Sequence, residues 1–244
     1  MHPGHLSTTI AIAAPAHEKV IPASVSSVPS LRDESWIAAA LHKPWQFALK
    51  RAIDITLSAS AILVLLPFAL AVAAAIVIEN RGPVLFTQLR WGKGGKLIRI
   101  YKFRSMRTDM CDITGVAQTK ENDPRVTRVG AFLRKTNLDE LPQLINILKG
   151  DMSLVGPRCH VPGMLAAGMP YEQLVEDYHL RHLVRPGLTG LAQVRGLRGP
   201  TDREDVSRAR VAADIEYIKT FSVMNDLKIL FKTAINEIRG GTGF

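Results

Sequence analysis

Hydrophobic positions are spread unevenly along this chain, and the strongest signal is an unbroken run. From Ile55 to Ile78, 24 residues carry no formal charge and are mostly Ala, Leu, Ile and Val. As one helix they would extend about 36 Å, enough for a hydrocarbon core of roughly 30 Å. Pro67 falls at the middle of the run, where its missing amide hydrogen and its ring favour a break or kink. Lys43, Lys50 and Arg51 precede the run, while Arg81, Arg90, Lys93 and Lys96 follow it. Basic residues favour the cytoplasmic side, so both ends are drawn to the same face. A re-entrant hairpin bent at Pro67 satisfies both facts. A simple span, the alternative, meets neither.

Beyond the run the periodicity changes. Apolar positions alternate through Pro83–Phe103 around the turn Gly92-Lys93-Gly94-Gly95, which predicts a β-hairpin. Helical spacing follows in Arg125–Leu133 and in Leu138–Leu148, where Leu141, Leu144, Ile145 and Leu148 share a face and Gly150 closes the helix. Because Pro142 is tolerated only in a first turn, that helix is expected to begin near Leu138. Gly156-Pro157, Pro162-Gly163 and Arg185-Pro186-Gly187 punctuate a loop-rich stretch. Two amphipathic segments close the chain, Asp205–Phe221 and Asp226–Ile238. In the second, Leu227, Leu230, Phe231, Ala234 and Ile238 lie on one side with Lys228, Lys232 and Arg239 among them. That arrangement suits either a lipid surface or ordinary core packing, and an exposed apolar face there also suits a homodimer. The fold class expected is α/β, mostly α with a small hairpin.

Composition sharpens the picture in three ways. Residues 1–31 are rich in Ala, Ser, Thr, Pro and His, bury too little to offset ordering entropy, and read as disordered. Two cysteines, Cys111 and Cys159, exclude a disulfide framework. Thirty-one Lys and Arg against 22 Asp and Glu give a net charge of +9 over 244 residues, which points to an anionic partner. Nucleic acid would explain that surplus, but not the apolar run or the scarcity of aromatics among the basic residues. Eight basic residues and one acid lie between Arg81 and Met110, as expected of a wall for phosphates or a face beside anionic lipid.

Candidate chemistry centres on Asp139-Glu140 at the expected helix start, with Arg125, Arg128, Arg134, Lys135 and Arg158 near in sequence. The helix dipole would keep both carboxylates ionised. Two adjacent carboxylates without cationic relief repel, and Mg²⁺, with its oxygen preference, would relieve them. Carboxylates, a hard cation and guanidinium groups are recurring parts of phosphoryl transfer, and an ionised carboxylate can itself attack phosphorus.

Six blocks occur in order: Lys50-Arg51-Ala52-Ile53-Asp54, Tyr101-Lys102-Phe103-Arg104-Ser105-Met106, Asp123-Pro124-Arg125-Val126-Thr127-Arg128-Val129-Gly130, Leu138-Asp139-Glu140-Leu141-Pro142-Gln143, Lys149-Gly150-Asp151-Met152-Ser153-Leu154-Val155-Gly156-Pro157-Arg158 and Arg185-Pro186-Gly187-Leu188-Thr189-Gly190-Leu191-Ala192-Gln193-Val194. Together they resemble the bacterial sugar transferases, the monotopic polyprenyl-phosphate phosphoglycosyl transferases, from Lys50 to the C-terminus, in the short form of that family. The resemblance implies transfer of a sugar 1-phosphate from a UDP-sugar to undecaprenyl phosphate at the inner face of the bacterial cytoplasmic membrane, with UMP released. It implies Asp139 as the nucleophile forming a covalent phosphosugar intermediate and Glu140 as its partner with Mg²⁺. Pro67 would be the break of the re-entrant helix, and Lys102, Arg104, Arg134, Arg158 and Arg185 are the expected phosphate contacts.

The implied organisation is a disordered extension (1–35), an interfacial and membrane segment (36–80) and a cytoplasmic catalytic domain (81–244) that also meets anionic lipid. Two departures stand out. Cys159 replaces the Pro usual after Gly-Pro-Arg, and Phe221 stands where family members carry interfacial Trp. Cys159 is expected to pack as a small residue and His160 to be a loop residue rather than a base. The competing reading is a non-catalytic basic adaptor in a polysaccharide assembly, which has no physical need for the acid pair among arginines.

Overall fold

The structure, a computed structural model, describes residues 35–108 and 123–239. The expected disordered extension, apart from Ser35, and Cys111 lie outside the described residues.

A short helix α1 (Ser35–Leu41) leads into α2 (Pro44–Glu79), 36 residues long. Pro44 starts α2 where no amide hydrogen is needed. The helix runs through Pro67 without interruption, so the break expected there is not a break in the helix. Residues before and after the proline pack on the body. Asp54 and Ser58 are buried before it and Val72 and Ile76 after it, while Ala61, Ile62 and Ala69 pack against two apolar clusters. These positions form one stripe along the helix, so α2 lies against the body at both ends. Its other faces stay apolar and open: Leu63 is 73% exposed, Val64 77% and Leu70 63%. By length and hydropathy α2 is a candidate membrane segment.

The foot of α2 is fastened by polar contacts. Asp54 accepts from the Leu154 amide at 2.9 Å, and Lys50 donates to Asp226 at 2.6 Å and to the Val155 carbonyl at 2.9 Å. Phe47 stacks on Phe221 with ring centroids 4.4 Å apart. Phe221 is therefore a core residue, 1% exposed, and not an interfacial anchor.

The expected hairpin is present as β1 (Leu85–Trp91) and β2 (Leu97–Phe103), antiparallel with Trp91 opposite Leu97. Asn146 ties its second strand to the helix below, accepting from the Tyr101 amide and donating to the Arg99 carbonyl. After α3 (Arg128–Lys135) and α4 (Gln143–Lys149) comes β3 (Ser153–Val155). The loop-rich stretch holds a small antiparallel pair, β4 (Leu165–Ala166) and β5 (Met169–Pro170), and then α5 (Tyr171–Leu174). Next is β6 (Gly187–Thr189), which pairs in parallel with β3. This close approach requires glycine: a Cβ on Gly187 would sit 2.1 Å from the Gly156 nitrogen.

Three helices follow, α6 (Leu191–Val194), α7 (Glu204–Lys219) and α8 (Val223–Ile238). Ile147, Met152, Val155, Tyr217, Ile218 and Ile229 share the main core. On α8, Leu230 turns inward to that core, whereas Met224, Leu227, Phe231 and Ile238 are exposed. The molecule is mostly helical with small two-stranded sheets, matching the class expected.

Candidate active site

Thr127 caps α3, its side chain accepting from the Gly130 amide, and the helix gives out at Thr136. Asn137 then adopts a left-handed conformation (φ 54), which asparagine tolerates better than most residues. A single 3₁₀ turn, Leu138–Glu140, carries the acid pair. Pro142 delays the α-helical ladder, so α4 starts at Gln143 rather than near Leu138. Asp139 and Glu140 thus stand in a separate turn ahead of α4, not in its first turn, and side chains rather than a helix dipole set their charge.

Lys102 from β2 donates to Glu140 Oε1 at 2.6 Å and lies 3.7 Å from Asp139 Oδ2. Arg158, on the loop after β3, clamps Glu140 with both terminal nitrogens. Burial pushes the Glu140 carboxyl up, but Arg158 and Lys102 outweigh it and hold it well below the ordinary range. Asp139 is shifted the other way. Its burial, opposed by Lys102 and reinforced by the Glu140 charge, leaves it above its ordinary value. One acid is fixed as an anion while its neighbour is poised nearer neutrality, the divergence expected where two carboxyls hold different tasks. Glu140 in turn strengthens the hold on the proton of Arg158.

Both acids face a cavity of about 560 Å³, a size that suits a nucleotide-sized ligand. Lys102, Arg134 and Arg158 line it with them, and residues from β6, α6, α7 and α8 form the walls. Two expected phosphate contacts are elsewhere. Arg104 is 4% exposed and donates to the Ile76 and Asn80 carbonyls at the end of α2. Arg185 donates to the Gly150 carbonyl at 2.8 Å, at the C-terminus of α4. Carbonyls left over at a helix end attract cations, and both side chains are drawn there, Arg185 through its Nε. Pro67 belongs to α2 and is not part of the cavity. Cys159 is buried in the main core as expected.

Sequence reasoning missed several wall residues. His160, expected as a loop residue rather than a base, does lie in a loop, but it is 3% exposed and lines the cavity with Asp214 and Arg210. Asp214 forms a buried ion pair with Arg181, at 2.6 Å, and Arg181 also donates to the Arg158 carbonyl at 2.6 Å. Arg210 holds the Leu197 and Gly199 carbonyls. Nothing local in the sequence marks these residues; only a polar position inside the amphipathic pattern of α7 hinted at Asp214.

Lys102 and Arg158 already supply the cationic relief that the acid pair was expected to need. Among the described residues no cluster of three or more His, Cys, Asp or Glu side chains converges. The donors still fit Mg²⁺. Mg²⁺ is commonly held by one or two carboxylates, with phosphate oxygens and water completing its shell.

A family model described as bacterial sugar transferase matches residues 45–240. An exopolysaccharide production protein, PSS, of Rhizobium leguminosarum bv. phaseoli is 62% identical over 196 residues, covering 80% of this chain and 98% of that protein. The undecaprenyl-phosphate glucose phosphotransferase of Komagataeibacter xylinus is 47% identical over 201 residues, covering 82% of this chain and 38% of its own length. The UDP-glucose:undecaprenyl-phosphate glucose-1-phosphate transferase of Escherichia coli (strain K12) is 50% identical over 185 residues, covering 76% and 39%. The chain therefore spans about two-fifths of the latter two relatives and nearly all of the first.

Proposed function

The chain belongs to the bacterial sugar transferase family and is a phosphoglycosyl transferase, and on that premise we propose that it moves glucose 1-phosphate from UDP-glucose to undecaprenyl phosphate through an intermediate on Asp139. The observation that carries this is the pairing on the cavity floor: a buried Asp139, 3.7 Å from Lys102, beside a Glu140 held by Lys102 and Arg158. The names of the Komagataeibacter and Escherichia relatives support glucose as the sugar. An adaptor would have no use for such a cavity.

In this mechanism Lys102, Arg134 and Arg158 take the charge of the donor diphosphate. A carboxylate oxygen of Asp139 attacks the sugar-bearing phosphorus. The bond to the bridging oxygen breaks, and UMP departs with the electron pair. Burial leaves Asp139 a stronger nucleophile than a solvated carboxylate once ionised. An oxygen of undecaprenyl phosphate then attacks the same phosphorus, releasing the Asp139 carboxylate and giving the lipid diphosphate-linked sugar. Glu140 stays ionised throughout, with Asp139 beside it as a second oxygen donor for Mg²⁺, which when bound would offset phosphate charge.

Attachment to the cytoplasmic face of the inner membrane completes the reading. Segment 36–80 serves as the anchor and 81–244 as the catalytic part. A helix packed on the body at both ends supports monotopic seating over a crossing; the re-entrant form would add a bend, without a break, at Pro67. The exposed stripe of α8 with Lys228, Lys232 and Arg239 suits anionic lipid. The test is a half-reaction in membrane vesicles without undecaprenyl phosphate, using UDP-glucose labelled at the β-phosphorus. Label is expected on the proteolytic peptide bearing Asp139, and label that never appears there overturns the intermediate.

A further inference from the structure

The loop that brings Arg158 to the cavity brings His160 with it, and the surroundings of that imidazole are unusually determinate. Its Nδ1 lies 3.1 Å from the Tyr178 hydroxyl, and its ring packs on Tyr171 with centroids 4.7 Å apart. The Trp91 amide donates to its carbonyl at 2.9 Å, and Arg90 donates to the preceding Cys159 carbonyl, also at 2.9 Å. One edge of the ring is thus occupied by protein, while the residue lines the cavity.

The same contacts decide where the imidazole proton sits. The Arg181 guanidinium lies over the Tyr178 ring, 5.3 Å from its centroid. Among the described residues His160 Nδ1 is the acceptor within reach of the hydroxyl proton, and a buried O–H without an acceptor is costly, so the hydroxyl donates to Nδ1. Burial keeps that proton on Tyr178, whose pKa is pushed up to about 12. With Nδ1 accepting, a neutral imidazole must carry its hydrogen on Nε2. Burial and the nearby charges of Arg181, Arg210 and Arg90 hold His160 well below its ordinary value, hence neutral. Arg181 is itself anchored by Asp214 and by the Arg158 carbonyl, which fixes the cation beside the Tyr178 ring.

We propose that His160 is a donor-substrate contact whose Nε2–H hydrogen-bonds an uncharged oxygen of the nucleotide sugar, a uracil carbonyl or a hexose hydroxyl. This rests on the cavity's being the nucleotide-sugar site. An uncharged, donor-only group adds geometry rather than charge, and Lys102, Arg134 and Arg158 already line the same cavity for the phosphates. It is a specificity contact, not a proton carrier.

The test compares His160→Phe and His160→Gln with the unaltered chain in vesicles containing undecaprenyl phosphate, following UMP release from UDP-glucose. Glutamine sets an amide N–H near the Nε2 position, whereas phenylalanine keeps the bulk alone. The phenylalanine variant is expected to raise KM for UDP-glucose about tenfold with a much smaller change in kcat, and the glutamine variant to recover most of that loss. Should the phenylalanine variant fail to fold, His160→Asn, whose amide reaches only the Tyr178 side, replaces it with the same expectation. Inhibition by UMP separates the two acceptors: weakening by the same factor assigns the uracil, and no weakening assigns the hexose. A KM within twofold of the unaltered chain overturns the proposal. So does equal impairment of the phenylalanine and glutamine variants together with lower melting temperatures, which would mark a packing role. An unaltered chain that releases no UMP from any UDP-sugar removes instead the functional reading beneath it.

Discussion

At the C-terminal ends of α2 and α4 and on the floor of the cavity, cationic side chains work in opposite ways. Arg51 donates to the Ile147 and Leu148 carbonyls, Arg185 to the Gly150 carbonyl, and Arg104 to carbonyls at the end of α2. Each meets a helix C-terminus, where unpaired carbonyls and the dipole favour a cation. Lys102 and Arg158 meet carboxylates at the edge of open space, and Arg134 acts on Asp139 there through its charge. Arg51 and Arg104, with both terminal nitrogens on carbonyls, have little capacity left for a ligand. A cation paired with a carboxylate beside a cavity can share itself with an incoming phosphate. The surplus of +9 therefore divides into braces and ligand contacts, and residue type alone does not tell them apart.

That division is broken or sharpened by substitution. The largest effect is expected from Asp139→Asn, which removes the attacking oxygen's charge without changing its shape. UMP release in vesicles should fall by at least about a thousandfold while the chain still sediments with membranes. Near-normal turnover would mean that the cavity floor is only another brace. Next is Arg158→Lys, which keeps the charge but loses the fork on Glu140. Steady-state kinetics should show kcat/KM lower by roughly ten- to a hundredfold with little change in melting temperature. The smallest catalytic effects belong to the braces. Arg104→Ala should leave kcat/KM of the folded protein within about threefold, yet cost about 2 kcal/mol of stability in denaturant unfolding, because buried carbonyls lose their donor. A raised KM with unchanged stability would return Arg104 to the phosphate contacts.

How far the sequence alone carried the fold depended on the length of each pattern. The hairpin was legible because alternation ran for seven residues on each strand around a glycine turn. Helix α8 fell within a few residues of expectation because it repeats its apolar spacing over 16 residues; α7 did so although polar residues, Ser207, Arg210 and Asp214, share its buried stripe. The pairing of β3 with β6 was not legible, since three-residue strands hold no measurable period and their glycines looked like loop punctuation. At Pro67 the local rule foretold a break or kink, and the helix continues through it without a break.

At the site, Asp139, Glu140, Lys102 and Arg158 could be named because acids and bases stood in recognisable blocks. Arg104 and Arg185 stood in the same blocks, and only the position of helix ends separates them from the others. His160, Tyr178, Arg181 and Asp214 come from three separate segments. Their significance lies in who touches whom, which no linear spacing encodes.

One contact at the foot of α2 reaches further than its size suggests. The Asp54 carboxylate grips the backbone of Leu154 directly, and four residues later the chain delivers Arg158. Any tilt of the greasy rod is consequently a pull on the strand that aims a guanidinium. Turnover should follow bilayer thickness, and sluggish chemistry in a short-chain detergent would signal slack in that tether rather than damage to the protein.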